Sequence, residues 1–484
     1  MKTISNLSGG MNTKANPILL RDSECELIIN YQLDQTGALT KRNGYTVYAS
    51  QPNDSKNILG LFQYINTSTP AETTQVMAAN NAGDTQAVIY YNNAGTWTAS
   101  KSDDTAVTTI TNFNRTRLAT FLDYLFRVNG NGVVATSNDV NGGIWGTTNA
   151  PGTITPSFIS VFKDKIYLAR NGAAEGSRVY FSKLPSSGSL SWDITLDWFD
   201  VNPDDGDEIT ALENNGSKLL IFKNRALYRW DIGVIEPDRI IGVGAESQEC
   251  VKTNFDLGIT FFANSKGVYA YSNGRVKMIS RKINKWIKAV PAGDWDACCA
   301  EIDDDHYYLY LSDSITVDAK TYTNIMAVYT ISLDGWVIYS LHAPWRFANK
   351  LIVSGAEGIY FGTNRGRTYQ WDSGLTDNSS GSSENTATRI AGEIISKEFI
   401  LTYPHKSKLN YIDVISENAI GTQTYYQLDR KGDWLPLEQL KERFITSRHF
   451  GKECRSARLR FTDTSPIASR IDGYNFDYEQ AARK

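Results

Sequence analysis

The sequence predicts an all-β protein: a β-propeller of about six or seven irregular blades, with a short N-terminal docking segment and a C-terminal β-sandwich-like domain. Three observations carry this expectation. Short strands of alternating apolar and polar residues recur along the chain, and short polar turns separate them. Aromatic residues make up 12% of the chain, with 26 Tyr, and suit strands, while 37 Gly suit tight turns. With 41% apolar and 21% charged residues over 484 positions, the chain has the composition of a protein that buries a core.

The elements follow in order. In residues 1–50, Ser23 lies three positions before Glu26, a capping-box spacing that predicts a short helix from about Ser23 to Asn30. Asp34–Gly37 reads as a turn, and Ala38–Tyr45 as a strand ending at Asn43-Gly44. This segment has no counterpart further on, so it is expected to dock on the last strand, near Ile471–Tyr478, or on a neighbouring subunit. Residues 51–375 carry the propeller pattern. Phe158–Phe162 pairs with Lys165–Leu168, Lys218–Phe222 with Leu227–Trp230, Ile259–Phe262 with Val268–Tyr271, and His306–Tyr310 with Met326–Tyr329, each strand being half-buried. The units recur at roughly 35–60 residues, an irregular period that suits blades better than a solenoid. Four Trp-Asp pairs (192, 230, 295 and 371) lack the regular spacing of WD repeats and read as strand ends opening into turns. Residues 376–388, with the polar run Asp377–Ser383, form a flexible linker. Residues 389–484 form the C-terminal sandwich, with strands such as Ile394–Ile400, Leu409–Val414 and Ala457–Phe461.

Charge and motif content narrow the chemistry. A net charge of -4 argues against a surface that grips nucleic acid by counterion release. No apolar run is long enough to span a membrane, and Met1–Pro17 does not read as a secretory signal, so synthesis in the cytoplasm is expected. The five Cys are scattered and odd in number, as expected of reduced thiols, and the four His show no metal-ligand spacing. Neither a phosphate-binding loop nor a dinucleotide fingerprint is present. Asp204, Asp205 and Asp207 are weak candidates for calcium, because their spacing lacks the alternating pattern of a calcium loop. The stronger reading is a turn, in which Asn202-Pro203 and Asp205-Gly206 start and close a bend and Asp207 ties down backbone N–H groups. Asp303–Asp305 reads as a hairpin tip, and Arg281–Lys288 as a solvated edge. No catalytic residue and no cofactor is expected.

Gly10–Lys14, Asn30 and Gly37–Tyr45 resemble the opening of bacteriophage tail nozzle and tail tubular proteins. Val179–Ser182 with Trp192, Asp205–Leu212, Leu219–Lys223, Gly267–Ala270 and Ile279-Ser280 resemble the propeller of those proteins and of short-tailed-phage tail hub factors. The resemblance implies a virion structural protein of the tail, assembled as a homohexameric ring, with hub, nozzle and neck positions all open. It implies portal or adaptor and other tail proteins as partners, and double-stranded DNA passing through the lumen without specific binding. Assembly contacts are expected at Ser23, Glu26, Lys41, Arg42 and Tyr45. The alternative, from another class, is a carbohydrate-binding or carbohydrate-active propeller acting as an adhesin or hydrolase.

Overall fold

The computed structural model describes residues 1–50, 52, 56–67, 72–81, 83–234, 236–378, 387–402, 405–440, 444–446 and 450–480. It is all-β, as expected. Five separate four-stranded antiparallel sheets follow one another in chain order, beginning with the strands Ile58–Asn66, Arg117–Phe121, Pro156–Phe162, Ile209–Asn214 and Lys252–Asn254. Two further runs of the same kind belong to larger sheets. The sixth comprises Cys299–Ile302, His306–Val317, Lys320–Thr330 and Gly335–Ser340. The seventh comprises Phe347–Val353, Ala356–Gly362 and Thr368–Trp371, with Tyr45–Val47 as its fourth strand.

The first strand of each sheet packs beside the first strand of the next, and Phe347–Val353 packs against Ile58–Asn66. Asn349 Nδ2 donates to Leu61 O at 2.9 Å, and Ile352 N to Gln63 Oε1 at 2.8 Å, so the seventh sheet meets the first. Tight hairpins join many of the strands. Leu122-Asp123, Lys163-Asp164 and Asn273-Gly274 hold positive φ at both central positions, the backbone that matches the right-handed twist of the flanking strands.

The half-buried strands expected from the sequence are, in the middle of these sheets, buried on both faces. In Leu219–Lys223, Leu219 and Ile221 join a cluster with Phe158 and Tyr167 of the third sheet, while Leu220 and Phe222 join one with Phe262 and Tyr269 of the fifth. Each inner strand is sandwiched between neighbouring sheets, so both of its faces must be apolar.

The N-terminal helix expected from Ser23 is a β-strand, Glu24–Ile29. It pairs in parallel with Gly10–Met11, antiparallel with Gly392–Ser396, and touches the sixth sheet through Ile29 and Ile338. Cys25, Ile28 and Ile29 enter the main core from this strand, and burial between sheets outweighs a capping signal worth about 1 kcal/mol. The single strand expected over Ala38–Tyr45 is two, Leu39–Lys41 and Tyr45–Val47. The break between them brings Gly44 so close to the crossing chain that an added Cβ would lie 1.9 Å from Thr376 O.

Lys2–Ile4 pairs antiparallel with Tyr474–Phe476, and Leu39 and Thr40 pair with Ile471 and Arg470, so the docking partner is the last strand. Residues from both ends of the chain thereby build two sheets that pack together. One contains Arg470–Gln480 and Ser407–Glu417, the other Gly392–Ser396 and Ser456–Asp463. The rings of Phe399 and Phe461 meet Tyr474 across the interface, with centroids 5.7 and 6.1 Å away. The expected linker over 376–388 is partly strand: Thr376–Asn378 pairs with Ala387–Arg389, and residues 379–386 lie outside the described residues.

Candidate functional site: the central cavity and the acidic turn

The first strands of all seven sheets line one cavity of about 390 Å³. Its entry end is closed by charge pairing. Arg117 donates through Nε and a terminal nitrogen to the two oxygens of Glu249, at 2.9 and 3.0 Å, and Ser247 Oγ adds a further hydrogen bond. Arg115, fully buried, reaches Arg346 O and Asp296 O and lies 3.5 Å from Glu249. Asn112 spans to Thr210 O and Glu246 O. One short segment, 112–117, thus ties the second sheet to the third and fourth and to the segments leading into the fifth, sixth and seventh. Burial acts to raise the Glu249 carboxyl, but Arg117 and Arg115 outweigh it and hold the group below the usual carboxylate range.

Higher in the cavity, Lys252 Nζ bonds Glu301 at 2.9 Å. Burial acts to lower the Lys252 ammonium, yet Glu301 reverses this and raises it. Glu213 stands beside this pair, hydrogen-bonded to Thr253, and burial pushes its carboxyl up to about 7. These ionic residues escaped the sequence reading because Arg117 and Glu249 are 132 positions apart, and a lone charge in a strand gives no spacing signal.

The acidic turn closes around a cation supplied by the chain itself. Pro203–Asp205 is a single 3-10 turn flanked by Asn202 and Gly206, both in the left-handed region. Lys223, fully buried, donates from Nζ to Asp205 Oδ1 at 2.8 Å, to Asn202 O at 3.0 Å and to Ser177 Oγ at 3.0 Å. Asp207 accepts Arg225 N at 2.9 Å and Asn224 Nδ2 at 3.2 Å, while Asp204 is exposed. The Lys223 ammonium occupies the position this turn offers a positive charge, and Asp205 and Asp207 serve the bend, the stronger of the two readings of Asp204, Asp205 and Asp207. Among the described residues, no group of three or more His, Cys, Asp or Glu side chains is placed to hold a metal ion.

Three of the five residues expected at assembly contacts, Lys41, Arg42 and Tyr45, are buried within the chain. Arg42 and Asp377, both buried, form a two-pronged pair at 2.8 and 2.6 Å, and Arg42 Nε also donates to Asn30 Oδ1. Lys41 reaches Ser465 O at 2.5 Å and lies 3.5 Å from Asp463. Tyr45 stacks on Trp371, meets Phe361 and Tyr369 edge-on, and accepts a hydrogen bond from His342 N. Glu26 is partly exposed and binds Arg458 and Arg430 of the C-terminal strands, and Ser23 O accepts Gly9 N. Lys41, Arg42 and Tyr45 are buried, and the contacts they make are with other segments of their own chain.

Two of the four Trp-Asp pairs do end strands, Trp230 and Trp371. The other two lie in a loop and in the 3-10 helix Ala292–Ala297. Asp303–Asp305 turns between two strands, with Asp303 accepting His306 N and Tyr308 Oη. The basic stretch forms a short helix, Asn284–Lys288, that buries Trp286 and Ile287. All five cysteines are free and buried, and among the described residues no helix is long and apolar enough to cross a membrane.

No family model and no curated protein matches the chain. Among solved structures it is similar to an extracellular domain described as part of a one-component system of B. thetaiotaomicron, at 10% identity and TM-score 0.42, over 89% of this chain and 58% of that one. It is also similar to the AfRom2 CNH domain, at 8% identity and TM-score 0.41, over 68% of this chain and 99% of that one. A chain of a mitotic checkpoint complex is similar at 11% identity and TM-score 0.42, over 68% and 93%. The chain spans less than two thirds of the first of these, and at such identities and scores the likenesses bear on no function.

Proposed function

We propose that this protein is a structural subunit of a bacteriophage tail, a β-propeller that forms part of a hub or nozzle ring around the DNA path. The observation that carries the reading is the role of the residues behind the resemblance. Gly10–Met11, Arg42 and Tyr45 join the seven-sheet unit to the two-sheet unit, and Asp205–Asp207 with Lys223 lock a turn between two sheets. They serve architecture within a rigid subunit, as a tail component under load requires, and none is arranged as an acid–base pair.

The cavity among the seven first strands, closed at one end by Arg117 and Glu249, has no room for a duplex. DNA would therefore pass between copies, in the lumen of the ring, and a head-to-tail interface that closes on itself supplies such a lumen. Large apolar side chains stand exposed on the second and third sheets and their loops, among them Ile144, Leu184 and Leu196, which is 76% exposed, and these suit contact with a neighbour. Negative-stain imaging with sedimentation tests the reading. A ring, expected to be six-fold, that Leu196→Glu dissociates without loss of circular dichroism is the supporting result, and a monomer at all concentrations, with and without its adaptor, refutes it.

A further inference from the structure

We propose that the open end of the central cavity binds an organic cation, an ammonium or guanidinium on a short alkyl stem, with Glu213 as its counter-ion and Phe255 against the stem. The carboxylates within the cavity differ in whether a cation touches them. Arg117 at 2.9 Å and Arg115 at 3.5 Å meet Glu249, and Lys252 meets Glu301 at 2.9 Å. Lys350, at the wall, pairs outward with Glu357 at 3.3 Å. Among the described residues, no Lys, Arg or His nitrogen lies within ion-pair distance of Glu213, so its carboxylate, when ionised, has no cation in direct contact at this half-buried position. A charge in such a place is costly unless a counter-ion meets it.

The same mouth exposes an aromatic ring. Phe255, in the turn after Lys252–Asn254, lines the cavity with 64% of its surface in solvent, although most large aromatics of this chain are buried. A carboxylate and an exposed ring lining one cavity are the two groups that recognise an alkylammonium, through charge and cation–π attraction together. The groups facing Glu213 from the neighbouring strands are Lys252, Glu301 and Thr253, with Glu249 and Arg117 further in. Burial, reinforced by Glu301 and opposed by Thr253 and Lys252, places the Glu213 proton near neutrality. Cation binding should therefore strengthen as pH rises from 6 to 8, because the proton must leave first. Two sources present this chemistry, a free diamine and the Lys or Arg side chain of a bound protein. The inference does not depend on the tail-ring reading.

Calorimetric titration of the full chain with cadaverine, and separately with N-acetyl-lysine methylamide, tests it. Saturable binding of either probe is expected, about tenfold weaker in Glu213→Gln, the size of one lost charge-assisted contact. Phe255→Ala, at an exposed position that leaves folding intact, should weaken binding several-fold, and Asp204→Asn, an exposed acid elsewhere, should not change it. Binding of both probes marks a free amine as sufficient, and binding of the lysine amide alone marks a partner's side chain. Saturation by neither probe, or equal binding by Glu213→Gln, overturns the proposal.

Discussion

The Arg42–Asp377 pair is the most exacting test of how the two parts of the subunit are joined. Both side chains are buried, to 2% and 0% exposure, and the pair links the N-terminal segment to the strand after the seventh sheet. Arg42 is further held by Asn30 and lies over the rings of Tyr339 and Trp371, at 5.4 and 5.8 Å. Asp377→Asn keeps the volume but leaves a buried guanidinium without its counter-charge, which costs on the order of 3–5 kcal/mol. The amide oxygen still accepts one hydrogen bond, so the lower end, about 3 kcal/mol, is expected. Unfolding entropy of about 2.1 cal/mol/K per residue gives roughly 1 kcal/mol/K for a chain of 484 residues. The melting temperature should then fall by about 3 °C if the chain unfolds as one unit, and by more if the two-sheet unit melts alone. Differential scanning calorimetry reads this directly. Replacing both partners, Arg42→Met with Asp377→Leu, should recover part of the loss, because the buried charge is gone. A single Asp377→Asn variant that melts with the parent protein would refute the view that this pair joins the two parts.

The acidic turn gives an asymmetric pair of variants: Asp205→Asn strands the fully buried Lys223 ammonium and should cost about 2–3 kcal/mol, whereas Lys223→Met leaves a partly exposed carboxylate that water can solvate and should cost less. Equal costs in denaturant melts would remove the counter-ion role. Burial acts to raise the Asp205 carboxyl, but Lys223 and the Asp207 N–H outweigh it and lower it, so its stabilisation is present above the ordinary carboxylate range and is lost as pH falls through the lowered value. Asp205→Asn should flatten the acid limb of a stability-against-pH curve. Gly206 has φ +63° and nothing within 4 Å of an added Cβ, so Gly206→Val should cost about 1–3 kcal/mol through backbone strain alone, with Gly206→Asn much milder. Calcium should leave the melting temperature unchanged, and a calcium-dependent rise would restore the metal reading. Deleting residues 1–47 removes strands from three sheets, and circular dichroism should show loss of the native fold rather than a folded protein that merely fails to form rings.

The hairpins were legible because a period of two survives in short stretches such as Lys165–Leu168. Leu219-Leu220-Ile221-Phe222 also carried the sign of burial on both faces, a continuous apolar run, but its flanking turns drew it into the alternating pattern. The Ser23–Glu26 spacing misled because a capping box is a local signal, and Glu24–Ile29 is set by partners in Gly392–Ser396 and Gly335–Ser340, more than 300 positions away. Type I′ turns at Leu122-Asp123 and Lys163-Asp164 lack the Asn-Gly signature, since the strands on either side impose the backbone. The cavity charges were illegible for the same reason. Arg117, Glu213, Lys252 and Glu301 come from four separate sheets, with Glu249 in the turn before Lys252, and only closing the first strands together brings Arg117, Glu213 and Glu301 to them.

The path of the N-terminal segment also constrains how the subunit is completed. The seventh sheet takes its fourth strand from Tyr45–Val47, and Gly44 must pass within van der Waals distance of Thr376, so that sheet cannot finish before segments more than 300 residues apart have met. Lys2–Ile4 likewise waits for Arg470–Gln480, the last strand of the described chain. Such long-range pairings form late, because loop closure must precede any contact that rewards it. The sheets from Ile58 to Met278 pair only with chain neighbours and can form first. The joint at Arg42, Tyr45 and Asp377 then forms once the N-terminal segment has met the strand that follows the seventh sheet.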